Sequence, residues 1–339
     1  STPTDPCIDL IKDQCIDLIF ICKDRFDGKH DPGKLTTGYN LSQRFSTLTW
    51  ICGNLIFHRI ITIICIIFSA VKTDTDWFDE ALTSHKSAAG LIIGDNGMEL
   101  LILTEHEKVK DGDLKVRFYD HTEAAGTLKK YDSNTGLAVV SVNLSDVDSS
   151  TREVISYAEL GSSKSLRSGQ PVIVVGNPTG SNDSLLFGNL TSVMQTAELY
   201  DSSYNILTTD ILRSSNGSGV VADWNGKIIG LLQEKTEVEG QDNTIQAYGI
   251  SDVKDLIEHL SNNQDIVYMG IVGADVTTSI SEQENIPIGV YVSEVSLDSP
   301  AITAGIQPGD IITEINGQAI VNLKDIVATL LKCSSGQTV

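Results

Sequence analysis

Cysteine is nearly absent from most of this chain. Five of the six cysteines (Cys7, Cys15, Cys22, Cys52 and Cys65) fall within the first 65 residues, and only Cys333 lies beyond. The long middle must therefore hold together by packing, without an internal disulfide framework. No CxxC pair occurs, and spacings of 8 and 7 between the first three cysteines fit no common zinc pattern, so no metal is expected. Basic charge is scarce as well: 24 Lys and Arg stand against 45 Asp and Glu, for a net charge of −21 and a pI near 4.5. Phosphate backbones would be repelled, which argues against a nucleic-acid partner. An uninterrupted apolar run of membrane length is missing too. Residues 48–71 are apolar and long enough to span, but Asn54, His58 and Arg59 stand in their middle. A central arginine costs about 2.5–3.5 kcal/mol on insertion. Residues 60–71 alone number 12, against the roughly 20 a spanning helix needs. Two readings stay open: a membrane anchor followed by the acidic stretch 74–80, or a buried strand of Ile, Phe and Val that opens a barrel.

What the chain does have is enough apolar material, 41%, for a core, in a length of 339 residues that suggests about two to three domains. Residues 1–72 form an unassigned segment with a brief echo, Cys-Ile-Asp-Leu-Ile at 7–11 and again at 15–19, too short to be a repeat architecture. From about residue 88 short apolar runs (90–93, 100–103, 115–118, 137–142, 171–175) alternate with turn residues, the rhythm of barrels and sandwiches. Asn225-Gly226 between 220–222 and 227–232 marks a hairpin. A helix is expected over 251–260, with Ser251 as N-cap and Val253, Leu256, Ile257 and Leu260 on one face. Asn262-Asn263-Gln264 then reads as a linker. The last segment, 263–339, carries strands at 289–295 and 310–315 and a helix capped by Asn322. Where its closing strand would be expected the sequence stops, so a truncated last domain is expected.

Several segments, in order and spacing, resemble the HtrA family, trypsin-like bacterial proteases with C-terminal PDZ domains. They are Ile102-Leu103-Thr104, Tyr131-Asp132-Ser133-Asn134-Thr135-Gly136-Leu137-Ala138-Val139, Val174-Val175-Gly176-Asn177-Pro178-Thr179-Gly180, and Thr209-Asp210 through Gly226-Lys227-Ile228-Ile229-Gly230. Tyr268-Met269-Gly270-Ile271 and Ser299-Pro300-Ala301 through Gly309-Asp310-Ile311-Ile312 match the PDZ part. The resemblance covers residues 88–339, about three-quarters of the chain. It implies a mostly β fold: a trypsin-like double β-barrel over 73–262, then a small α/β PDZ domain over 263–339.

The same resemblance exposes departures. The general-base slot of the family holds Glu107, and the aspartate slot before Leu137-Ala138-Val139 holds Gly136. The serine slot holds Ser218 when counted forward from Asp210, and Gly217 when counted back from Asn225-Gly226, because the loop is one residue short. A serine needs a base to take its proton, and that base needs an orienting group. Loss of the orienting carboxylate alone costs about 10⁴ in rate in the template protease. His106 is a weak candidate base: it stands one residue early, and neighbouring side chains on a helical turn diverge by about 100°. Thr104-x-x-Glu107 also reads as a capping box, a role without chemistry. The PDZ segment, by contrast, keeps its carboxylate-binding loop, Tyr268, Met269, Gly270 and Ile271, whose successive amides would form a nest for a peptide's terminal carboxylate.

Three functions follow as expectations. The first is a non-catalytic, pseudoprotease-like protein binding peptides or unfolded protein termini; the second is a live serine endopeptidase using Ser218; the third is a structural or oligomerisation module, since relatives assemble as trimers. No cofactor is implied. The resemblance also implies an extracytoplasmic setting, with membrane attachment if 48–71 is an anchor.

Overall fold

A computed structural model of the chain describes residues 60–75, 81–180, 184–214, 216–232 and 243–339. Cys7, Cys15, Cys22 and Cys52, the pentapeptide echo and residues 48–59 lie outside them.

Two closed six-stranded barrels follow one another. The first uses β1 (Ile64–Thr75), β2 (Ala81–Asp95), β3 (Glu99–Glu105), β4 (Asp113–Arg117), β5 (Glu123–Tyr131) and β6 (Leu137–Asn143), ordered β1-β2-β3-β6-β5-β4. A one-turn helix, α1 (His106–Val109), leaves β3, and α2 (Ser149–Val154) follows β6. β4 shows why these segments become strands: Leu114 and Val116 are buried while Asp113 and Lys115 are exposed, the period of two that one buried sheet face demands. Ile67, Ile92, Leu100, Ile102, Val116 and Val140 meet in the interior. Each such burial contributes about 1.5–3 kcal/mol relative to exposure. Cys65 lies among them with its Sγ donating to the Gly90 carbonyl, and burial pushes its thiol well above the ordinary range.

β1 revises the boundary expected at residue 73. It pairs with β2 from Ile64↔Leu91 onward and with β4 from Ile66↔Arg117 onward, so it closes the barrel. The part of the apolar stretch within β1, residues 64–71, is therefore barrel wall, as its β-branched and aromatic residues favour. Among the described residues no helix is long and apolar enough to cross a membrane.

The second barrel comprises β7 (Pro171–Asn177), β8 (Ser184–Leu199), β9 (Ser202–Leu212), β10 (Ser218–Ala222), β11 (Ile228–Leu232) and β12 (Thr244–Gly249), ordered β10-β11-β12-β9-β8-β7. Val172, Val174, Leu207, Val221, Ile229 and Ile245 fill it. The β10–β11 hairpin turns at Asn225-Gly226, where Asp223 Oδ1 accepts the amides of Asn225 and Lys227 and Gly226 takes a φ of 80°. β12 runs directly into α3 (Ile250–Ser261), whose N-cap is Gly249 and not Ser251. Ser251 already lies inside the first turn, and its amide is capped from another segment by Ser163 Oγ at 3.0 Å.

The last domain holds β13 (Ile271–Val276), α4 (Thr278–Glu284), β14 (Gly289–Val295), α5 (Pro300–Ala304), β15 (Ile311–Ile312), β16 (Glu314–Ile315), β17 (Gln318–Ala319) and α6 (Leu323–Leu330). Its sheet is ordered β13-β14-β15, which leaves one edge of β13 open. α6 begins with a full capping box between Asn322 and Asp325. Ile271, Val290, Val292, Ile320 and Ile326 form its core. The domain lies against the second barrel: α6 packs on β9 and β13 touches β8.

Candidate functional site

The segments carrying the three expected triad slots do converge at the seam between the barrels. β3 delivers the chain to α1, and the four side chains of that single turn leave in four directions. His106 stacks flat on Tyr131, with ring centroids 3.7 Å apart and planes 4° from parallel. Glu107 points outward to Lys110 at 2.7 Å, whose ammonium holds the Glu107 carboxyl below the usual carboxylate range. Val109 enters the barrel core. Lys108 turns back into the seam: its Nζ lies 2.8 Å from Glu105 Oε2 and donates to the carbonyls of Asn216 at 2.9 Å and Gly217 at 3.0 Å.

The capping box expected between Thr104 and Glu107 does not form. Thr104 is still a strand residue, paired with Ala138, and its hydroxyl donates to the Ala89 carbonyl at 2.9 Å. The N-cap position falls to Glu105, which makes no side-chain cap.

Gly136 closes a tight turn between β5 and β6. Its φ is 74°, its amide donates to the Asp132 carbonyl at 2.9 Å, and its own carbonyl accepts the His106 amide at 2.8 Å. The carboxylate of Asp132 stays within this turn, accepting the Thr135 amide at 2.9 Å and the Thr135 hydroxyl at 2.7 Å. The aspartate slot thus joins the base slot through backbone, with no carboxylate presented to a base.

Ser218 and Gly217 sit at the start of β10. Ser218 is fully buried and paired with Asn177 of β7. Among the described residues the hydrogen-bond partner of its Oγ is the Ala89 amide of β2, at 2.9 Å. The hydroxyl therefore stitches one barrel to the other. The Gly217 amide donates to the Ser214 carbonyl at 2.9 Å, and a Cβ on Gly217 would stand 2.3 Å from the Pro178 carbonyl oxygen. An oxyanion hole needs free amides aimed at the reacting carbonyl; here the Gly217 amide is spent, and the carbonyls of Asn216 and Gly217 face the Lys108 ammonium. Replacing Ser218 by alanine leaves the buried Ala89 amide without its acceptor. The expected result is a loss of about 1–3 kcal/mol, read by calorimetry as a lower Tm; an unchanged Tm contradicts the stitch.

A second centre lies at the expected peptide loop. The amides of Met269, Gly270 and Ile271 converge, Gly270 adopting a φ of 91° to let them do so. Their acceptor is the carboxylate of Asp201, from the β8–β9 turn: Met269 N at 2.6 Å, Gly270 N at 2.9 and 3.0 Å, Ile271 N at 3.0 Å. Burial raises the Asp201 carboxyl above its ordinary value, and the three amides draw it back down. Tyr268 is half exposed beside this nest. Sequence reasoning missed Asp201, Lys108 and Glu105. Only the Gly270 position and the loop pattern were visible: the contacts of Asp201 with 269–271 and of Lys108 with 216–217 join distant segments and leave no local mark, while the i,i+3 spacing of Glu105 and Lys108 was the one local signal. Among the described residues no group of three or more His, Cys, Asp or Glu is arranged to hold a metal ion.

Residues 88–231 match the Trypsin-like peptidase domain family, and residues 250–339 match the PDZ domain family. Serine protease Do-like HtrA of Bacillus subtilis (strain 168) is 29% identical over 257 residues, covering 70% of this chain and 56% of its own length. Serine protease HTRA2, mitochondrial, of Drosophila ananassae is 28% identical over 282 residues, covering 75% of this chain and 63% of its own. The chain thus spans only a little over half the length of such relatives. Among solved structures, the HtrA-type protease AlgW with decapeptide superposes with a TM-score of 0.58 at 20% identity, over 83% of this chain and 91% of that one, a likeness of fold. The chain carries a trypsin-like peptidase domain, built as a pair of barrels and followed by a PDZ domain, and over both it is similar to HtrA-type serine proteases.

Proposed function

We propose that this chain is a catalytically impaired HtrA-like protein that binds peptides or protein C-termini through its PDZ domain. The observation that carries the first half is the buried Ser218 hydroxyl, hydrogen-bonded to the Ala89 amide. A nucleophile must be open to its substrate and adjacent to a base. Glu107 is committed to Lys110, Gly136 offers no side chain, and the Gly217 amide is committed to Ser214. The observation behind the second half is the amide nest at Met269, Gly270 and Ile271, which already holds a carboxylate. The open edge of β13 beside it suits an added peptide strand. An extracytoplasmic setting and homo-oligomeric assembly belong to this proposal through the family resemblance.

Exposure of the purified chain to a fluorophosphonate probe tests the impaired half. The expected result is no labelling above that of Ser218→Ala; labelling of the native chain that disappears in that variant refutes it. The peptide half is tested with the experiment that closes the next subsection.

A further inference from the structure

The nest and the open strand edge are usually vacant in a module waiting for a ligand, and here a single residue of the same chain engages both. Asp201 gives its carboxylate to the amides of Met269, Gly270 and Ile271, and its own backbone amide donates to the Ile271 carbonyl at 2.6 Å. A carboxylate in the nest together with an N–H on the first carbonyl of the edge strand is the pair of contacts a peptide's last residue would make. Asp201 is only 5% exposed, so solvent and a second carboxylate are both kept out.

The turn that presents Asp201 is held from several sides. Its φ of 59° fixes a left-handed turn between β8 and β9. Asn134 Nδ2 donates to the Tyr200 carbonyl at 2.6 Å and to Ser202 Oγ at 3.2 Å, gripping the turn on either side of Asp201. β9 lies on α6, and α6 is tied to α3 through Lys324 and Asp252 at 3.5 Å. Beside Asp201 a cavity of about 80 Å³ is lined by Ile266, Val267, Val327, Leu330 and Leu331. That wall is apolar and the space is of the size that a short aliphatic side chain would fill, while Asp132, Asp252 and Asp255 line its other side.

We infer that the carboxylate-binding loop is closed in cis by Asp201, and that a C-terminal carboxylate with an aliphatic last residue enters only when the β8–β9 turn withdraws. This inference rests on the peptide-binding reading above. Its energetics are those of an intramolecular competitor: a tethered group acts at an effective concentration of the order of millimolar. The apparent affinity for a free peptide then falls by the fraction of molecules in which the nest is open.

The test uses the whole chain and two pools of fluorescein-labelled random hexapeptides ending in valine, one with a free carboxylate and one amidated. Asp201→Gly removes the carboxylate, and glycine accepts the left-handed φ without strain. Asn134→Ala loosens the turn and leaves the carboxylate in place. The expected result, by anisotropy, is at least tenfold tighter binding of the carboxylate pool to Asp201→Gly than to the native chain. A smaller gain is expected for Asn134→Ala, and none with the amidated pool. Equal binding by native chain and variants overturns the closure while leaving the peptide reading intact. Binding by none of them overturns one of the two readings, and hydrogen exchange decides which. Amides of 269–271 that are protected natively and released in Asp201→Gly mean that Asp201 is a permanent structural ligand, so the peptide reading was the error. Exchange that does not change means that the contact itself was wrong.

Discussion

Replacing Lys108 by alanine is expected to lower the unfolding free energy by about 3–5 kcal/mol, as a fall in the urea midpoint. Lys108 and Glu105 are an ion pair at 2.8 Å with side chains only 11% and 7% exposed. Removing the cation leaves a carboxylate shut in the seam between the barrels, where its charge is poorly solvated. The carbonyls of Asn216 and Gly217 lose their donor at the same time. Had Lys108 been an ordinary surface lysine, the change would stay within about 0.5 kcal/mol. The double variant Lys108→Met with Glu105→Leu removes both charges and should recover most of the loss. On the proposed reading, a lysine that pins the 216–217 loop would hold the seam closed where a nucleophile is otherwise expected.

Gly219→Ala is expected to destabilise the second barrel by about 2–6 kcal/mol, combining backbone strain with overpacking. Gly219 has a φ of 149°, and a Cβ there would stand 2.2 Å from the Val175 carbonyl oxygen of β7. Backbone of a paired strand cannot move aside as a flexible side chain can. Gly94→Ala serves as the control: among the described residues no atom beyond its chain neighbours lies within 4 Å of its Cβ position, and the change should be near neutral. Equal stability of the two variants, measured by calorimetry, contradicts this packing. The consequence reaches further than stability. The Ser218-Gly219 pair resembles a surviving catalytic motif, yet each member has a structural reason to be there, one as an inter-barrel acceptor and the other as the only residue that fits against β7.

The barrels were legible because local chemistry dictates them. Alternating burial, Asn225-Gly226 and the Asn322 cap all act within a few residues, and each appears where the sequence leads one to expect it. The same local reasoning failed at Thr104, where a strand pairing outcompeted a capping box, and at Ser251, where a serine some 90 positions away supplied the cap. The apolar residues of β1 are compatible with a strand or part of a span; pairing with both β2 and β4 decides between them. The candidate site was half legible. Glu107 and Gly136 can be read from the chain as departures from the family pattern, and so can the Tyr268-Met269-Gly270-Ile271 pattern of the loop proposed to take a peptide. The contacts that give these positions their present roles join distant segments: Lys108 with Gly217, Ser218 with Ala89, and Asp201 with Gly270. Such pairs carry no periodicity, so only the folded chain reveals them.

Hydrolysis of fluorescent casein by the purified native chain, with Ser218→Ala alongside, is the most direct measurement of whether the framework has outlived its chemistry. With the Ser218 hydroxyl buried and held by the Ala89 amide, the proposed impairment predicts that both proteins release label at the rate of buffer alone. Turnover by the native chain that vanishes in Ser218→Ala contradicts the account, since it requires that hydroxyl to leave the Ala89 amide and attack.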